Sequence, residues 1–390
     1  MKTKLLALFL TICVVQIANS QSKKLSENAA ISIITAGPGN ALYEGFGHSA
    51  IRVKSVDFDW IYNYGFFDFN APNFYLNFAK GKMLYKLEKY PFHYFVRSSQ
   101  RDKRWIKEQV LNINLTEKQQ FFEYLENNAK PENARYLYDP FFNNCATIIK
   151  EITDKILTDK VTFPTNTLSK KKSFRTLMND EIPWNTWGSF GINLALGSKL
   201  DKIATAEQQM YLPDFVYSGF KSAKIKRNGI TENLIKTERY ILKFEEIKIK
   251  SSFFNPFLVF TLLLFIGGFI TLLEFKSKKR TKWFDFFLFL TTGIIGFLIL
   301  FLWFFTNHST TAINLNFLWA FAPNAFMAFY LLKDNPKIRL TKYLKIQIVL
   351  LLVIPIIWIT QLQQLPVASI PIIAVLLLRV VWLHKSLTAK

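Results

Sequence analysis

The chain has 390 residues, half of them hydrophobic, with 39 Phe and a formal net charge of +21 from 49 Lys plus Arg against 28 Asp plus Glu. The apolar content excludes intrinsic disorder, two cysteines exclude a disulfide-stapled scaffold, and high apolar content combined with high charge points to two unlike parts in one chain. The excess divides as +2 in residues 1–20, +9 in 21–250 and +10 in 251–390; much of it therefore lies among membrane-like segments, and no nucleic-acid partner is expected.

The first element is Met1-Lys2-Thr3-Lys4, an apolar run from Leu5 to Ile17, and Ala18-Asn19-Ser20. A charged start, a short apolar run and a small-x-small site make residues 1–20 a signal peptide, with Gln21 as the mature start. Cys13 is a poor lipoprotein site, because Ile12 stands where a small residue is needed. Residues 21–250 read as a mixed α/β extracytoplasmic domain. Strands are expected at Ala30–Ala36, Ser49–Lys54 and Trp60–Tyr64, with a polar turn at Ser55–Asp59. Thr116 and Gln119 fit a capping box before Phe121, Phe122 and Leu125. A second helix is expected from Ala146 to about Leu157, with Ile148, Ile149, Ile152, Ile156 and Leu157 on one face. Residues 164–215 read as loop-rich, and Glu238–Lys250 as a strand.

Beyond Ser252 five apolar stretches follow, at about 253–274, 284–306, 313–332, 344–361 and 366–383. Each is close to the roughly 20 residues that span hydrocarbon. Lys and Arg crowd the loops after the first and third stretches and the tail after the fifth, whereas Asn307–Ala312 and Gln361–Pro366 carry none. This alternation sets residues 251–390 as a transmembrane domain of about five helices with a cytoplasmic C-terminus, and 21–250 outside.

Once the signal peptide is removed, Cys145 is the only cysteine, so it has no internal disulfide partner. Asn144 is a good N-cap and sets Cys145 in the first turn of a helix, where the positive end of the dipole favours thiolate. A thiol nucleophile needs a base. The external domain holds two histidines, His48 and His93. His93 reads as a packed loop residue, and His48 follows Gly45-Phe46-Gly47 at the start of a strand. A hairpin centred near Val56 sets His48 opposite Asn63 or Tyr64, so Asn63 can orient the ring in a Cys-His-Asn arrangement. Arg52 shares the parity of His48, and either lines the site or pairs with an acid. Arg52, Tyr64, Asn144 and His308, the last at headgroup level, are the candidate substrate-binding residues. No His-rich ligand cluster is present in the external domain, so neither a metal nor another cofactor is expected.

Gly37-Pro38-Gly39, Phe46-Gly47-His48-Ser49-Ala50-Ile51-Arg52-Val53 and Tyr62-Asn63-Tyr64-Gly65 resemble the N-terminal periplasmic domain of the Lnb-type lipoprotein N-acyltransferases. So do Tyr138-Asp139-Pro140-Phe141-Phe142-Asn143-Asn144-Cys145-Ala146-Thr147 and Leu212-Pro213. The likeness covers residues 30 to about 215 and extends to the multi-span half. The His-then-Cys order is similar to circularly permuted papain-like enzymes of the NlpC/P60 type. The resemblance implies an α+β papain-like domain followed by an all-α membrane bundle in the bacterial inner membrane, with Cys145 as nucleophile and His48 as base. It implies a membrane phospholipid as acyl donor and a diacylglyceryl-lipoprotein as acceptor. It leaves the third residue open, because the second histidine of some permuted relatives is absent near position 63. A cell-wall peptidase or phospholipid hydrolase using the same Cys-His pair, and a non-catalytic membrane receptor or assembly factor, are the alternatives.

Overall fold

A computed structural model describes residues 23–388 apart from 69, 165–170, 247–251 and 334–337. The signal peptide and the end of the expected strand at Glu238–Lys250 lie outside the described residues. In chain order the external domain runs β1 (Ala30–Ala36), β2 (His48–Lys54), β3 (Asp59–Phe66), α1 (Phe74–Ala79), β4 (Leu84–Pro91), α2 (Phe92–Arg101), β5 (Ile106–Leu111), α3 (Leu115–Asn128), β6 (Arg135–Leu137) and α4 (Thr147–Leu157). It continues with β7 (Val161–Thr162), α5 (Phe174–Glu181), α6 (Trp187–Ala195), α7 (Ala206–Gln209), α8 (Pro213–Ser222), β8 (Lys224–Arg227), β9 (Ile230–Asn233) and β10 (Ile235–Leu242).

The main sheet has the order β10-β5-β1-β2-β3-β4-β6, and every neighbouring pair is antiparallel. Because strand side chains alternate between faces, each central strand builds two cores. Ile31, Ile33, Ile51 and Val53 meet Phe121, Phe122, Ile149 and Phe220 on the side of α3, α4 and α8. Ile34, Ala36, Ala50 and Ile61 meet Phe92 and Phe95 of α2 on the other. Burying each Ile, Val or Phe side chain among them fully contributes roughly 1.5–3 kcal/mol. The capping box of α3 lies two residues earlier than its sequence suggests: Asn114 Oδ1 accepts from Glu117 N, and Glu117 returns the bond to Asn114 N. Asn is at least as good a cap as Thr. Of the basic residues in the last turn of α8 and in β8, Lys221 pairs with Glu238 and Arg227 with Glu117.

The membrane half contains α9 (Pro256–Ser277), α10 (Lys282–Phe304), α11 (Asn324–Leu331), α12 (Ile338–Thr360) and α13 (Ile370–Thr388). Four described helices are long and apolar enough to cross a bilayer; α11, with 8 residues, is not. The expected third span is instead a broken crossing. It starts at the external domain, where Asn307 N donates to Lys80 O. It turns through a short 3-10 segment, Leu315–Leu318, continues as α11, and ends where Arg280 of the α9–α10 loop donates to the carbonyls of Leu331 and Lys333. Its irregular backbone is tolerated because it is buried in protein: Asn316 and Asn324 are fully enclosed, and Asn324 bonds Thr292 of α10 and Tyr343 of α12.

The two halves are bonded into one body. Asn314 Nδ2 donates to the carbonyls of Leu194 and Ala195 at the end of α6. Gln363 Nε2 donates to Leu196 O, and Gln364 N donates to Asp201. Gly197 N donates to Thr310 O and Ser198 N to Ile313 O, and a Cβ on Gly197 would stand 1.8 Å from Ala312 O. At the other corner Trp187 Nε1 donates to Phe254 O, just before α9.

Candidate active site

Cys145 stands in the turn before α4, two residues ahead of the first regular helical residue. Asn144 is nevertheless the cap: its Oδ1 accepts from Ala146 N at 2.8 Å and Thr147 N at 2.9 Å, and its carbonyl accepts from Ile148 N. Its Nδ2 donates to Pro140 O and Tyr211 O. Asn144 therefore spends its amide on the chain, so it builds the turn and is not a substrate ligand. The same bonds occupy the N–H groups of Ala146, Thr147 and Ile148, so the helix start does not offer them to an oxyanion. The N–H of Cys145 itself and that of Ser49 point at the sulfur.

The loop carrying Cys145 is held from both sides. Asp139 Oδ1 accepts from Phe141 N and Phe142 N, Asn143 Nδ2 donates to Leu137 O, and Ser309 of the membrane half donates to Asp139 Oδ2. Gly65 of β3 faces this loop in a backbone conformation that favours glycine. Its φ is +91°, and a Cβ there would lie 3.7 Å from the Tyr138 ring and 3.8 Å from Cys145 Cβ.

His48 opens β2, across from Ala36 of β1. The turn before it requires glycine: Gly47 has φ +72°, and a Cβ would meet Ala36 O at 2.9 Å and approach Pro213 at 3.7 Å. The β2–β3 register pairs Ile51 with Tyr62 and Arg52 with Ile61. Continued outward it sets His48 against Gly65, so Asn63 is the diagonal neighbour on the same face and not the direct partner expected. The contact is made nonetheless: His48 Nε2 and Asn63 Oδ1 are 2.5 Å apart, and Asn63 Nδ2 donates to Tyr90 OH at 2.9 Å. With the amide oriented by Tyr90, Nε2 carries the proton and Nδ1 is left for the thiol. The His48 ring lies beside Phe95 of α2, centroids 6.3 Å apart.

Thiol and imidazole interact directly. Burial disfavours charge on His48, but the charge of Cys145 and hydrogen bonds donated to Cys145 and Asn63 outweigh it, and its pKa is raised. Burial likewise pushes the Cys145 thiol up, but the His48 charge, the His48 hydrogen bond and the Ser49 and Cys145 N–H groups outweigh it, and its pKa is lowered. Both shifts favour a thiolate–imidazolium pair.

The other sequence candidates fall elsewhere. Arg52 is buried, bonds Asp59 and Glu108, and stacks on Phe92 at 4.0 Å; it is the acid-paired alternative. Tyr64 points into the opposite core, and its hydroxyl accepts from Asn128 Nδ2, so it does not line the His48 face. His308 packs on Gly81 and Phe78 where α1 meets the membrane half. Tyr138 stacks on Tyr85 at 4.3 Å, Tyr85 meets Phe67, Phe67 meets Phe74, and Phe74 meets Phe78. An aromatic row thus joins the loop of Cys145 to the exposed residues Tyr75, Leu76 and Phe78 beside the membrane loop. Among the described residues, no group of three or more His, Cys, Asp or Glu gathers to hold a metal.

Sequence reasoning missed Asp139 and Arg104. The signal for Asp139 was present in Asp139-Pro140 as a turn opener. Arg104 gives no local signal, because it comes to the site only through the β1–β5 pairing.

Residues 19–180 match the family described as the Lnb N-terminal periplasmic domain, and residues 248–390 match the Lnb transmembrane domain. The chain belongs to the Lnb family. None of the curated proteins and none of the solved structures compared with it matches. The family and the four apolar helices make it a multi-pass inner-membrane protein with a periplasmic N-terminal domain.

Proposed function

We propose that this protein is a lipoprotein N-acyltransferase that works through a Cys145 thioester. The carrying observation is the Cys145–His48 pair, with shifts that favour thiolate, at the end of an aromatic row leading to the membrane face. Cys145 Sγ attacks the carbonyl carbon of a phospholipid ester. The ester C–O bond breaks, and His48 gives its proton to the departing lysophospholipid oxygen. The acyl group is left on sulfur. The α-amine of a diacylglyceryl-lipoprotein then attacks the thioester, His48 takes the amine proton, the C–S bond breaks, and the products are an amide and the free thiolate. Asn63 holds the imidazole in the tautomer that faces sulfur, and the Cys145 N–H is a donor for the oxyanion. The aromatic row favours an acyl chain over a polar cell-wall peptide as the group delivered to Cys145.

The test is mass spectrometry of lipoprotein N-termini from cells with the protein, without it, and with Cys145→Ser. N-acylation is expected only with the intact protein, and purified protein incubated with phospholipid should gain one acyl mass at Cys145. A free α-amine that persists equally in all three strains sinks the reading. Acyl-enzyme that forms but yields only free fatty acid assigns a hydrolase instead.

A further inference from the structure

Arg104 follows α2 and leads into β5, beside the end of β1. Its Nε donates to Gly37 O at 2.7 Å, and its Nη1 lies 3.5 Å from Glu44 Oε1. Its Nη2 is buried and has no hydrogen-bond partner. Leaving a charged donor buried and unmatched is costly, and a bound anion is one way to match it. Gly37 directly follows Ala36, the cross-strand partner of His48, so the unspent N–H is one strand away from the base. The guanidinium acts electrostatically on both Cys145 and His48.

The surroundings tie this group to the membrane half. Glu44 closes the short helical turn Leu42–Glu44, and Leu42 packs against Gly188 of α6, where a Cβ would stand 2.6 Å from it. Gly188 adjoins Trp187, which bonds Phe254 at the outer mouth of α9. On the other flank the loop of Cys145 is bonded to Ser309. The turn of Cys145 is therefore bracketed by two contacts with the membrane half. A permanent cation there matches a permanent anion, and the phosphodiester of a glycerophospholipid lies only a few bonds from its ester carbon.

We infer that Arg104 Nη2 is the binding site for the phosphate of the acyl-donor phospholipid, holding the ester against Cys145. The lipid assignment rests on the acyltransferase reading; the anion site does not. Alkylation of Cys145 separates the two. Iodoacetate and iodoacetamide differ in charge, and the wild-type rate ratio should exceed that of N-acetylcysteine. Arg104→Gln should lower the ratio by about tenfold, the worth of one charge-assisted hydrogen bond, and Arg104→Lys should restore most of it. A ratio unchanged in Arg104→Gln overturns the inference. Should that variant fail to accumulate, the wild type decides: glycerol 3-phosphate must slow alkylation where glycerol does not, and equal effects overturn the site. Inorganic phosphate protecting better than glycerol 3-phosphate overturns the lipid as occupant. In detergent, the wild type should form the Cys145 thioester faster from phosphatidylglycerol than from diacylglycerol of the same chains, and Arg104→Gln should lose that preference. A preference retained by the variant overturns the inference. If no lipid acylates Cys145, the acyltransferase reading fails while the haloacetate ratio still judges the anion site.

Discussion

Two polar networks lie a short way apart in this molecule, and they differ in whether their donors are spent. At the junction of the halves, Asn316 Nδ2 donates to Asn193 O, Leu194 O and Asn314 Oδ1, and its Oδ1 accepts from Trp319 Nε1. Arg175 bonds Asp201, Asn193 and the carbonyls of Leu196 and Gly197. These groups are saturated, and saturation at this density rigidifies. Around Cys145 the accounting is incomplete: a thiol shares one imidazole, the N–H of Cys145 faces only sulfur, and one guanidinium N–H has no partner. The junction spends its donors on structure, whereas the surroundings of Cys145 keep some unspent.

Variants sharpen that contrast. The largest effect is expected from Cys145→Ser, which should abolish acyl-enzyme in intact-mass measurements while leaving the thermal unfolding midpoint near that of the wild type. His48→Gln should reduce the acylation rate by roughly 10²–10⁴-fold, the usual worth of a general base. It should also change the pH profile of alkylation. In the wild type the lowered Cys145 pKa and raised His48 pKa keep thiolate present below the range of an ordinary thiol. Without the imidazole the inflection should move up in pH; an inflection that stays put breaks the ion-pair account. Asn63→Ala should slow acylation by on the order of tenfold, since it removes one hydrogen bond to a charged ring. Asn316→Ala should do the reverse of Cys145→Ser, costing about 1–3 kcal/mol of stability through unmet carbonyls, seen as a lower unfolding midpoint, and leaving the pH of alkylation where it was. A shift in that pH would mean the networks are coupled.

The sequence was most informative where one residue type does one local job. The strand at Ala30–Ala36, the helix starting beyond Cys145 and the four long apolar helices follow from periodicity and length. Asn144 was legible as a cap, but its further bonds to Pro140 and Tyr211 consume the side chain that the sequence left available. The hairpin register was missed by a residue or two, because the turn at Ser55–Asp59 has no dipeptide that fixes its centre. The third span was misread as continuous because apolar composition does not reveal that Asn314, Asn316 and Asn324 each take a buried partner. Arg104 was invisible for a general reason: tertiary pairing alone brings it to His48.

The loop from Asn307 to Asn314 bonds the external domain through Lys80, Asp139, Gly197 and Leu194. A periplasmic domain fastened at both corners is held at a fixed position relative to the membrane helices. For the proposed reaction that position becomes a gauge: the acceptor amine must be displayed at the depth set by its own lipid anchor. Selectivity for lipoproteins over soluble amines then follows from where an amine can be held, before any side chain reads its sequence.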